Sequence, residues 1–485
     1  MSSRGLKDKT VKGLSWSAID NVANHSVSFI VGVILARLLS PDEFGTIGIA
    51  MIFVTLFNTI VNSGFSSALI RKQDVTQTDY NTTFVFNFVV SCVLYGVCFF
   101  VAPLIARFFN QEILVSVVRW ISLVIIINAF AIIQQTRIVK SIDFKTLAKI
   151  SLIASSFSGC IGIAMAYKGF GVYSLVGQQL SRQFISTVLL WVYNKWWPRI
   201  EFSIKSFKEL FSYGSKLLLS GIIDTICNEM TTVFVGKIYS TATLGQYSRA
   251  RQFSGFFTSN ISSITQRVTY PVLSEMQGDE GYLIMNYRRI IKSLMLVVGL
   301  GSAFIFAGAK SIILILVGSK WTEAIILLQL VVFNDITIPL KNINLNLLQV
   351  YGRSDYILRL SIIKRIIEFG AIMLGFFGLK YMIIGFAVAG VIGFLLNAYC
   401  TMKVSGFTVK DQVKDLLPSL SVSFLVGFVM YLISLAITNI YISLIVQVIV
   451  GGGVFYLIAR LRKMQEFYFL KGLAVEYILK LRKRK

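Results

Sequence analysis

Long apolar segments dominate this chain and restrict the folds open to it. About fourteen segments are each apolar over roughly 20 residues, the length that a helix needs to cross a bilayer core about 30 Å thick. Such runs are far longer than the roughly ten-residue alternating strands of an outer-membrane barrel. The chain is therefore predicted to be an all-α polytopic membrane protein, with spans at approximately 13–38, 44–67, 82–108, 115–136, 146–167, 171–193, 213–237, 247–270, 289–317, 322–349, 357–378, 382–402, 415–437 and 440–459.

The positive charges predict the orientation of these spans. Hydrophobic residues make up 55% of the chain and charged residues only 14%, yet the formal net charge is +24. Lys and Arg concentrate in every second connection between spans, as they do in cytoplasmic loops. One of these predicted cytoplasmic segments carries Arg353, Arg359, Lys364 and Arg365. We therefore predict that both termini are cytoplasmic. No basic domain stands apart from the helices, so nucleic-acid binding is not predicted.

A repeat with a period of 200 residues predicts two related halves. Arg37-Leu-Leu-Ser40-Pro-Asp-Glu-Phe44-Gly45 returns as Lys237-Ile-Tyr-Ser240-Thr-Ala-Thr-Leu244-Gly245, and each copy lies between two apolar segments. Internal symmetry of this kind is typical of transporters. We predict two six-helix lobes with pseudo-two-fold symmetry at 1–200 and 201–405, two further spans at 406–462, and a basic amphipathic tail at 463–485 on the anionic inner leaflet.

Polar side chains inside the spans are the first candidates for binding residues, because a charge near the bilayer centre costs at least about 2.5–3.5 kcal/mol. In the first span Asp20 and Asn24 share one helix face; in the seventh, Asp224 and Asn228 repeat this spacing, with Glu229 beside them. Two interpretations fit these stripes. One is a wet cavity between related halves, and the other is hydrogen bonding between packed spans.

Basic side chains also fall within predicted spans: Arg182 in the sixth, Arg249 and Arg251 in the eighth, and Lys341 in the tenth. A guanidinium clamps a phosphate through two parallel hydrogen bonds, and an ammonium adds a point charge, so these residues suit a phosphorylated substrate. Snorkelling toward lipid headgroups is the other interpretation for the three arginines.

The tenth span carries further polar side chains, since Asn342 and Asn346 share a face with Asp335 when the span is one continuous helix. Asn24, Asn228, Asn342 and Asn346 are accordingly predicted to line a cavity. Ion coupling would require a carboxylate whose charge changes during transport. The candidates are Asp20, Asp224, Glu229, Asp335 and Glu368.

Several motifs resemble those of a known family. Gly13-Leu-Ser-Trp16-Ser, followed by Ala36-Arg37-Leu-Leu-Ser40-Pro41-Asp-Glu-Phe44-Gly45, resembles the opening of bacterial Wzx-type polysaccharide and lipopolysaccharide flippases, which belong to the multidrug/oligosaccharidyl-lipid/polysaccharide exporter superfamily. Within this family, the chain most resembles the subgroup that is similar to the colanic-acid exporter. Further similar pieces follow in the same order, namely Gly245-Gln-Tyr247-Ser-Arg249-Ala, Tyr270-Pro271-Val-Leu-Ser274 and Gly318-Ser-Lys-Trp321-Thr-Glu-Ala324.

The resemblance implies a function as well as a fold. It implies two lobes around a cationic cavity and transport by alternating access in the bacterial inner membrane. The implied substrate is an oligosaccharide unit on polyprenyl pyrophosphate, moved from the inner to the outer leaflet for surface polysaccharide or O-antigen. The implied partners are membrane lipids, a coupling proton or sodium ion, and polysaccharide assembly proteins.

Two other functions are considered beside this one. A drug or cation antiporter of the same superfamily would share the fold but favour acidic and aromatic cavity residues. A membrane-embedded glycan polymerase or ligase generally has a large external loop, and no external loop here is predicted to exceed roughly ten residues. The sequence therefore predicts a transporter and not an enzyme, and it predicts no cofactor and no metal, since His25 is the single histidine.

Overall fold

The computed structural model describes residues 22–62 and 64–472, and within these ranges the chain is almost entirely helical, with no β-strand. The predicted all-α fold is confirmed. Two short 3-10 helices lie at Ser319–Trp321 and Leu374–Phe377. The α-helices are α1 Val22–Leu38, α2 Pro41–Asn62, α3 Phe65–Arg71, α4 Gln77–Phe109, α5 Leu114–Ile121, α6 Leu123–Lys140, α7 Phe144–Tyr167, α8 Val172–Asn194, α9 Ile204–Ile238, α10 Thr241–Glu275, α11 Glu280–Leu316, α12 Glu323–Asp335, α13 Thr337–Val350, α14 Ser354–Met373, α15 Leu379–Ser405, α16 Val409–Ala436 and α17 Ile440–Leu461.

The chain is a multi-pass membrane protein. By length and composition, ten helical segments of the described residues are able to cross a membrane. Each of the fourteen predicted spans overlaps a helix, but α1, α8, α10 and α14 are not among those ten. The described part of α1 is short, and the other three helices carry several charged and amide side chains. The count of fourteen therefore stays a prediction.

The two copies of the repeat form equivalent helix starts. At the start of α2, the Ser40 backbone N–H donates to Glu43 Oε2 at 2.6 Å, and the Glu43 N–H donates to Ser40 Oγ at 3.4 Å. At the start of α10, the Thr243 N–H donates to Ser240 Oγ at 3.1 Å. A serine in this position satisfies backbone donors that have no partner within the helix. The repeat thus ends one helix and begins the next in both places.

Some predicted spans consist of two helices. The fourth predicted span contains α5 and α6, which meet at Ser122, and the tenth contains α12 and α13, which meet at Ile336. Pro339 explains the second break, because its ring nitrogen has no hydrogen for the Asp335 carbonyl four residues earlier. Ile336 keeps helical backbone angles (φ −57°, ψ −28°), so Glu323–Val350 remains one helical segment that carries Asp335, Asn342 and Asn346.

Contacts between residues divide the chain into two compact units, Met1–Ser248 (unit 1) and Arg249–Lys485 (unit 2). The division falls inside α10, whereas the predicted lobes meet at 200 and 201. Unit 1 includes α9 because that helix packs on α2 and α3. The lobe boundaries at 1–200, 201–405, 406–462 and 463–485 stay predictions.

Each unit has its own apolar core. In unit 1 a cluster joins Phe65 and Leu69 of α3, Ile133 of α6 and Leu210 of α9 with Trp196 of the connection between α8 and α9. In unit 2 the buried side chains of α10, α11, α13, α15 and α16 form another cluster. Three of the helices that carry polar candidate residues, α10, α13 and α15, thus contribute to the unit 2 core.

Within unit 2, α16 is joined to α11 by charge as well as by apolar packing. Arg288 of α11 donates from Nε to Asp415 Oδ2 at 2.7 Å and from Nη2 to Asp415 Oδ1 at 2.9 Å. Lys292 adds an ion pair at 3.1 Å to the same carboxylate, which is almost fully buried. Two cations thus compensate the Asp415 carboxylate at the start of the thirteenth predicted span.

Candidate functional site

A cluster of charged and amide side chains lies inside unit 2, on the helices α10, α12, α13, α14 and α15. We call it the unit 2 cluster and define it as Arg251, Ser254, Asp335, Lys341, Lys364, Arg365, Glu368 and Asn397. Because charges are costly within a membrane, such a group normally faces a protein interior or a wet cavity. The residues that hold it together are described in turn.

Asp335 is the buried carboxylate of this cluster, with only 8% of its surface exposed. It is the last residue of α12, directly before the break at Ile336. Ser254 of α10 donates its hydroxyl to Asp335 Oδ2, and Asn334 Nδ2 donates to Asp335 Oδ1 at 3.2 Å. Hydrogen bonds to both oxygens offset part of the cost of burying the carboxylate.

Two basic residues balance this carboxylate. Arg251, which is exposed, and Lys341, which is half-buried, both interact electrostatically with Asp335. Lys341 interacts with Glu368 of α14 as well. A charge within the membrane is usually paired in this way. The structure therefore brings together four residues that the sequence singled out: Arg251, Asp335, Lys341 and Glu368.

Lys364 of α14 lies beside Lys341 of α13, and both side chains pack against Gly393 of α15. A Cβ on Gly393 would lie 3.3 Å from Lys364 Cδ and 3.4 Å from Lys341 Cδ, so a larger residue would crowd both lysine stems. Lys364 Nζ donates to Asn397 Oδ1 at 3.4 Å, and Asn397 Nδ2 donates to the Lys341 carbonyl at 3.1 Å. Two ammonium groups that share one neighbourhood repel each other, and a bound anion relieves that repulsion.

Glu368 is less buried than Asp335 and has its own partner. Arg365 Nη1 donates to Glu368 Oε2 at 3.2 Å, one turn apart on α14. Lys364, Arg365 and Asn397 were not among the predicted site residues. The charges at 364 and 365 lie well inside the predicted span 357–378. That position could have distinguished them from the charges of a cytoplasmic loop.

The other predicted residues of the tenth span differ in exposure. Asn342 is half-buried, whereas Asn346 is 6% exposed, and its Nδ2 has no hydrogen-bond partner among the described residues. The two asparagine side chains therefore differ in how accessible they are to a ligand. Both stay predicted cavity residues.

Arg249 is the first residue of unit 2. It is 6% exposed and donates to Gln252 one turn later. Its guanidinium lies 5.7 Å from the centre of the Trp321 ring, a distance at which a cation is attracted to an aromatic face. The structure thus buries Arg249 beside an aromatic side chain, and its role in substrate binding stays a prediction.

In unit 1 the predicted residues lie on three helices. Asn24 of α1 is half-buried and accepts a hydrogen bond from Ser155 Oγ of α7 at 2.8 Å. Arg182 of α8 is half-buried. On α9, Asp224 and Asn228 are exposed and Glu229 is half-buried. Asp20 lies outside the described residues.

Known proteins of polysaccharide biosynthesis are similar in sequence to this chain. Teichuronic acid biosynthesis protein TuaB of Bacillus subtilis is 24% identical over 72% of this chain and 73% of its own length. Lipopolysaccharide biosynthesis protein WzxC of Escherichia coli is 21% identical over 88% of this chain and 89% of its own length. The relatives thus span most of the chain.

Solved structures support the fold. The structure of lipid II flippase MurJ in an inward closed conformation matches with a TM-score of 0.70 and 15% identity, over 92% of this chain and 98% of that chain. At this identity the likeness establishes the fold. The resemblance carried by the sequence motifs is confirmed by a family profile that matches residues 34–326. On this match, the chain belongs to the polysaccharide biosynthesis protein family.

Proposed function

We propose that the chain flips polyprenyl-pyrophosphate-linked oligosaccharide units from the inner to the outer leaflet by alternating access, for the export of a surface polysaccharide. One observation carries this proposal, namely the juxtaposition of Lys341 and Lys364 within a membrane-embedded helical unit. A transporter for a neutral substrate has no need of two neighbouring lysines at this depth, whereas a diphosphate requires cationic partners.

In the proposed mechanism the diphosphate binds to Lys341 and Lys364, and Arg251 adds a third cation from α10. Asp335 and Glu368 balance these charges while no substrate is bound, so that the cluster is stable within the membrane when empty. The diphosphate then replaces the carboxylates as the partner of the lysines. The prenyl chain stays in the surrounding lipid, where its transfer costs nothing.

Ion coupling requires that a carboxylate changes its charge between the inward and outward states. Among Asp20, Asp224, Glu229, Asp335 and Glu368 we favour Asp335, because it is buried and interacts with two of the cations proposed to bind substrate. Neutralising it with a proton or a sodium ion strengthens the net positive charge around Lys341. The ion and the substrate then act on the same group of side chains.

The transporter is proposed to lie in the bacterial inner membrane with both termini in the cytoplasm. The alternation of basic and non-basic connections supports this orientation. The chain acts on its substrate by moving it and makes or breaks no covalent bond. Polysaccharide assembly proteins are the expected partners on either side of the membrane.

Deletion of the gene tests the function directly. We expect a lipid-linked oligosaccharide to accumulate on the cytoplasmic side and the surface glycan to be lost, while drug tolerance is unchanged. Complementation with the intact gene restores export, and complementation with a Lys341→Met/Lys364→Met variant at equal protein level does not. Normal glycan export together with a loss of drug tolerance would instead identify an antiporter.

A further inference from the structure

Four amide side chains from three helices of unit 1 form a connected hydrogen-bonded group that the mechanism above does not use. Gln183 Nε2 of α8 donates to Asn128 Oδ1 of α6 at 3.2 Å. Asn128 Nδ2 donates to Asn58 Oδ1 at 3.0 Å and to Asn62 Oδ1 at 3.3 Å, both on α2. We call these four residues the amide chain. Asn62 is exposed, and the other three are half-buried.

Asn128 and Gln183 of the amide chain lie near the middle of their helical segments, Leu114–Lys140 and α8. At a rise of about 1.5 Å per residue, Asn128 is about 18 Å from the end of α6 at Lys140. Gln183 is about 16 Å from the start of α8 at Val172. Both segments overlap predicted spans, and in a hydrocarbon core about 30 Å thick both positions would be far from either headgroup layer. Polar groups at this depth face protein or a wet cavity rather than lipid.

The amide chain joins more side chains than the neighbouring hydrogen bond on the same helix. Thr59, next to Asn58, forms a hydrogen bond from α2 to α9, with its Oγ1 3.1 Å from Thr225 Oγ1. One such pair is sufficient for a hydrogen bond between two spans, which contributes about 0.6–2 kcal/mol. The amide chain instead converges on Asn128 from two helices and ends at an exposed side chain.

The chemistry of this group suits hydroxyl groups rather than phosphate. Asn58 and Asn62 each accept a hydrogen bond through Oδ1, and the Nδ2 of each is a hydrogen-bond donor. Gln183 donates through Nε2, and its Oε1 is a hydrogen-bond acceptor. A sugar hydroxyl both donates and accepts, and it therefore matches either end of the chain. None of the four residues carries a charge with which to bind a diphosphate.

We propose that the amide chain is the subsite of unit 1 that binds uncharged sugar residues of the substrate and so determines which glycan is accepted. This inference rests on the proposed function. The two units then divide recognition between them: the unit 2 cluster binds the diphosphate that all lipid-linked units share, and the amide chain binds the sugars by which those units differ.

The test compares two probes on the purified full-length chain in lipid nanodiscs. One probe is undecaprenyl diphosphate, and the other is the lipid-linked oligosaccharide extracted from the deletion strain. Asn58→Leu and Gln183→Leu keep the side-chain size and remove the amide. We expect affinity for the oligosaccharide probe to fall about tenfold, the effect of one or two lost hydrogen bonds, and affinity for undecaprenyl diphosphate to change less than about twofold.

Thr59→Val is the matched control, because it removes the neighbouring hydrogen bond to Thr225 without changing the amide chain. Both affinities should stay at the wild-type value.

Asn62→Ala provides a second variant in which an exposed side chain is truncated, so that folding is preserved. The inference is overturned if the amide variants bind both probes as the wild type does, or lose both in parallel. It is also overturned if the wild type binds the two probes equally, an outcome that leaves the proposed function standing. A wild type that binds neither probe refutes the proposed function, and this inference with it.

Discussion

The carbonyl of Thr241, at the start of α10, lies where a side chain on Gly45 of α2 would have to be. The same relationship recurs 200 residues later, because the Pro41 carbonyl lies where a side chain on Gly245 would have to be. The two helix starts of the repeat therefore pack backbone against backbone. Asp42 accepts a hydrogen bond from the Thr241 hydroxyl at the same crossing.

Substitution of Gly45 by alanine is predicted to destabilise the protein. The new Cβ overlaps main-chain atoms of Thr241, which cannot rotate away as a side chain can, so the start of α2 must shift. Forced overpacking of this kind costs about 1–3 kcal/mol. Thermal unfolding of the purified variant in detergent measures the effect as a lower Tm.

Gly48→Ala is the matched control for this substitution. Its Cβ would lie 3.8 Å from Leu244 Cδ2, an ordinary van der Waals contact one turn further along α2. A Gly45→Ala variant that melts at the same temperature as Gly48→Ala would contradict the backbone contact.

The positions of helix ends at the repeat were predictable from the sequence, whereas contacts between residues far apart in the sequence were not. The repeat was predicted to lie between two helices because apolar segments flank it, and in the structure Ser40 and Ser240 cap the helices that follow. The change of helix at Ile336 follows from Pro339, whose missing N–H was overlooked when the tenth span was predicted as one helix. Lys364 was assigned to a cytoplasmic segment, whereas its contacts with Lys341 and Asn397 arise only when α13, α14 and α15 pack around Gly393.

Removal of either neighbouring lysine is predicted to weaken substrate binding. Lys341→Met and Lys364→Met keep the apolar stem and remove the charge that attracts the diphosphate. A hydrogen bond to a charged group contributes about 1.5–3 kcal/mol, so affinity for undecaprenyl diphosphate should fall about 10- to 100-fold. Binding of the labelled lipid to protein in nanodiscs gives this value.

Lys403→Met serves as the control for both lysine variants. Lys403 lies on α15, the helix that carries Asn397, but it is exposed and lies over the Tyr399 ring at 4.7 Å. Its removal should leave lipid binding unchanged. Equal losses in the Lys403, Lys341 and Lys364 variants would show that general positive charge, rather than the cluster, binds the lipid.

Neutralisation of Asp335 is predicted to uncouple transport from the ion gradient. Asp335→Asn retains an oxygen that can accept a hydrogen bond from Ser254, yet it removes the negative charge that Arg251 and Lys341 balance. Transport by reconstituted protein should then no longer respond to an imposed proton or sodium gradient. Asp355→Asn, outside the cluster and paired with Arg353 at 3.0 Å, should keep the wild-type response. An unchanged gradient dependence in Asp335→Asn would exclude Asp335 as the coupling residue.

The ion pair between Arg288 and Asp415 is predicted to stabilise the attachment of α16 to α11. Asp415 is buried, whereas the Arg288 side chain is 43% exposed, so water reduces the energy of the pair below that of a fully buried one. Arg288→Met and Asp415→Leu, singly and together, form a double-mutant cycle that isolates the pair, and we expect a coupling energy of about 1–2 kcal/mol from thermal unfolding. Lys292 still compensates Asp415 at 3.1 Å when Arg288 is removed, so Asp415→Leu should be the more destabilising single change. A coupling energy near zero would mean that apolar packing alone holds α16 on α11.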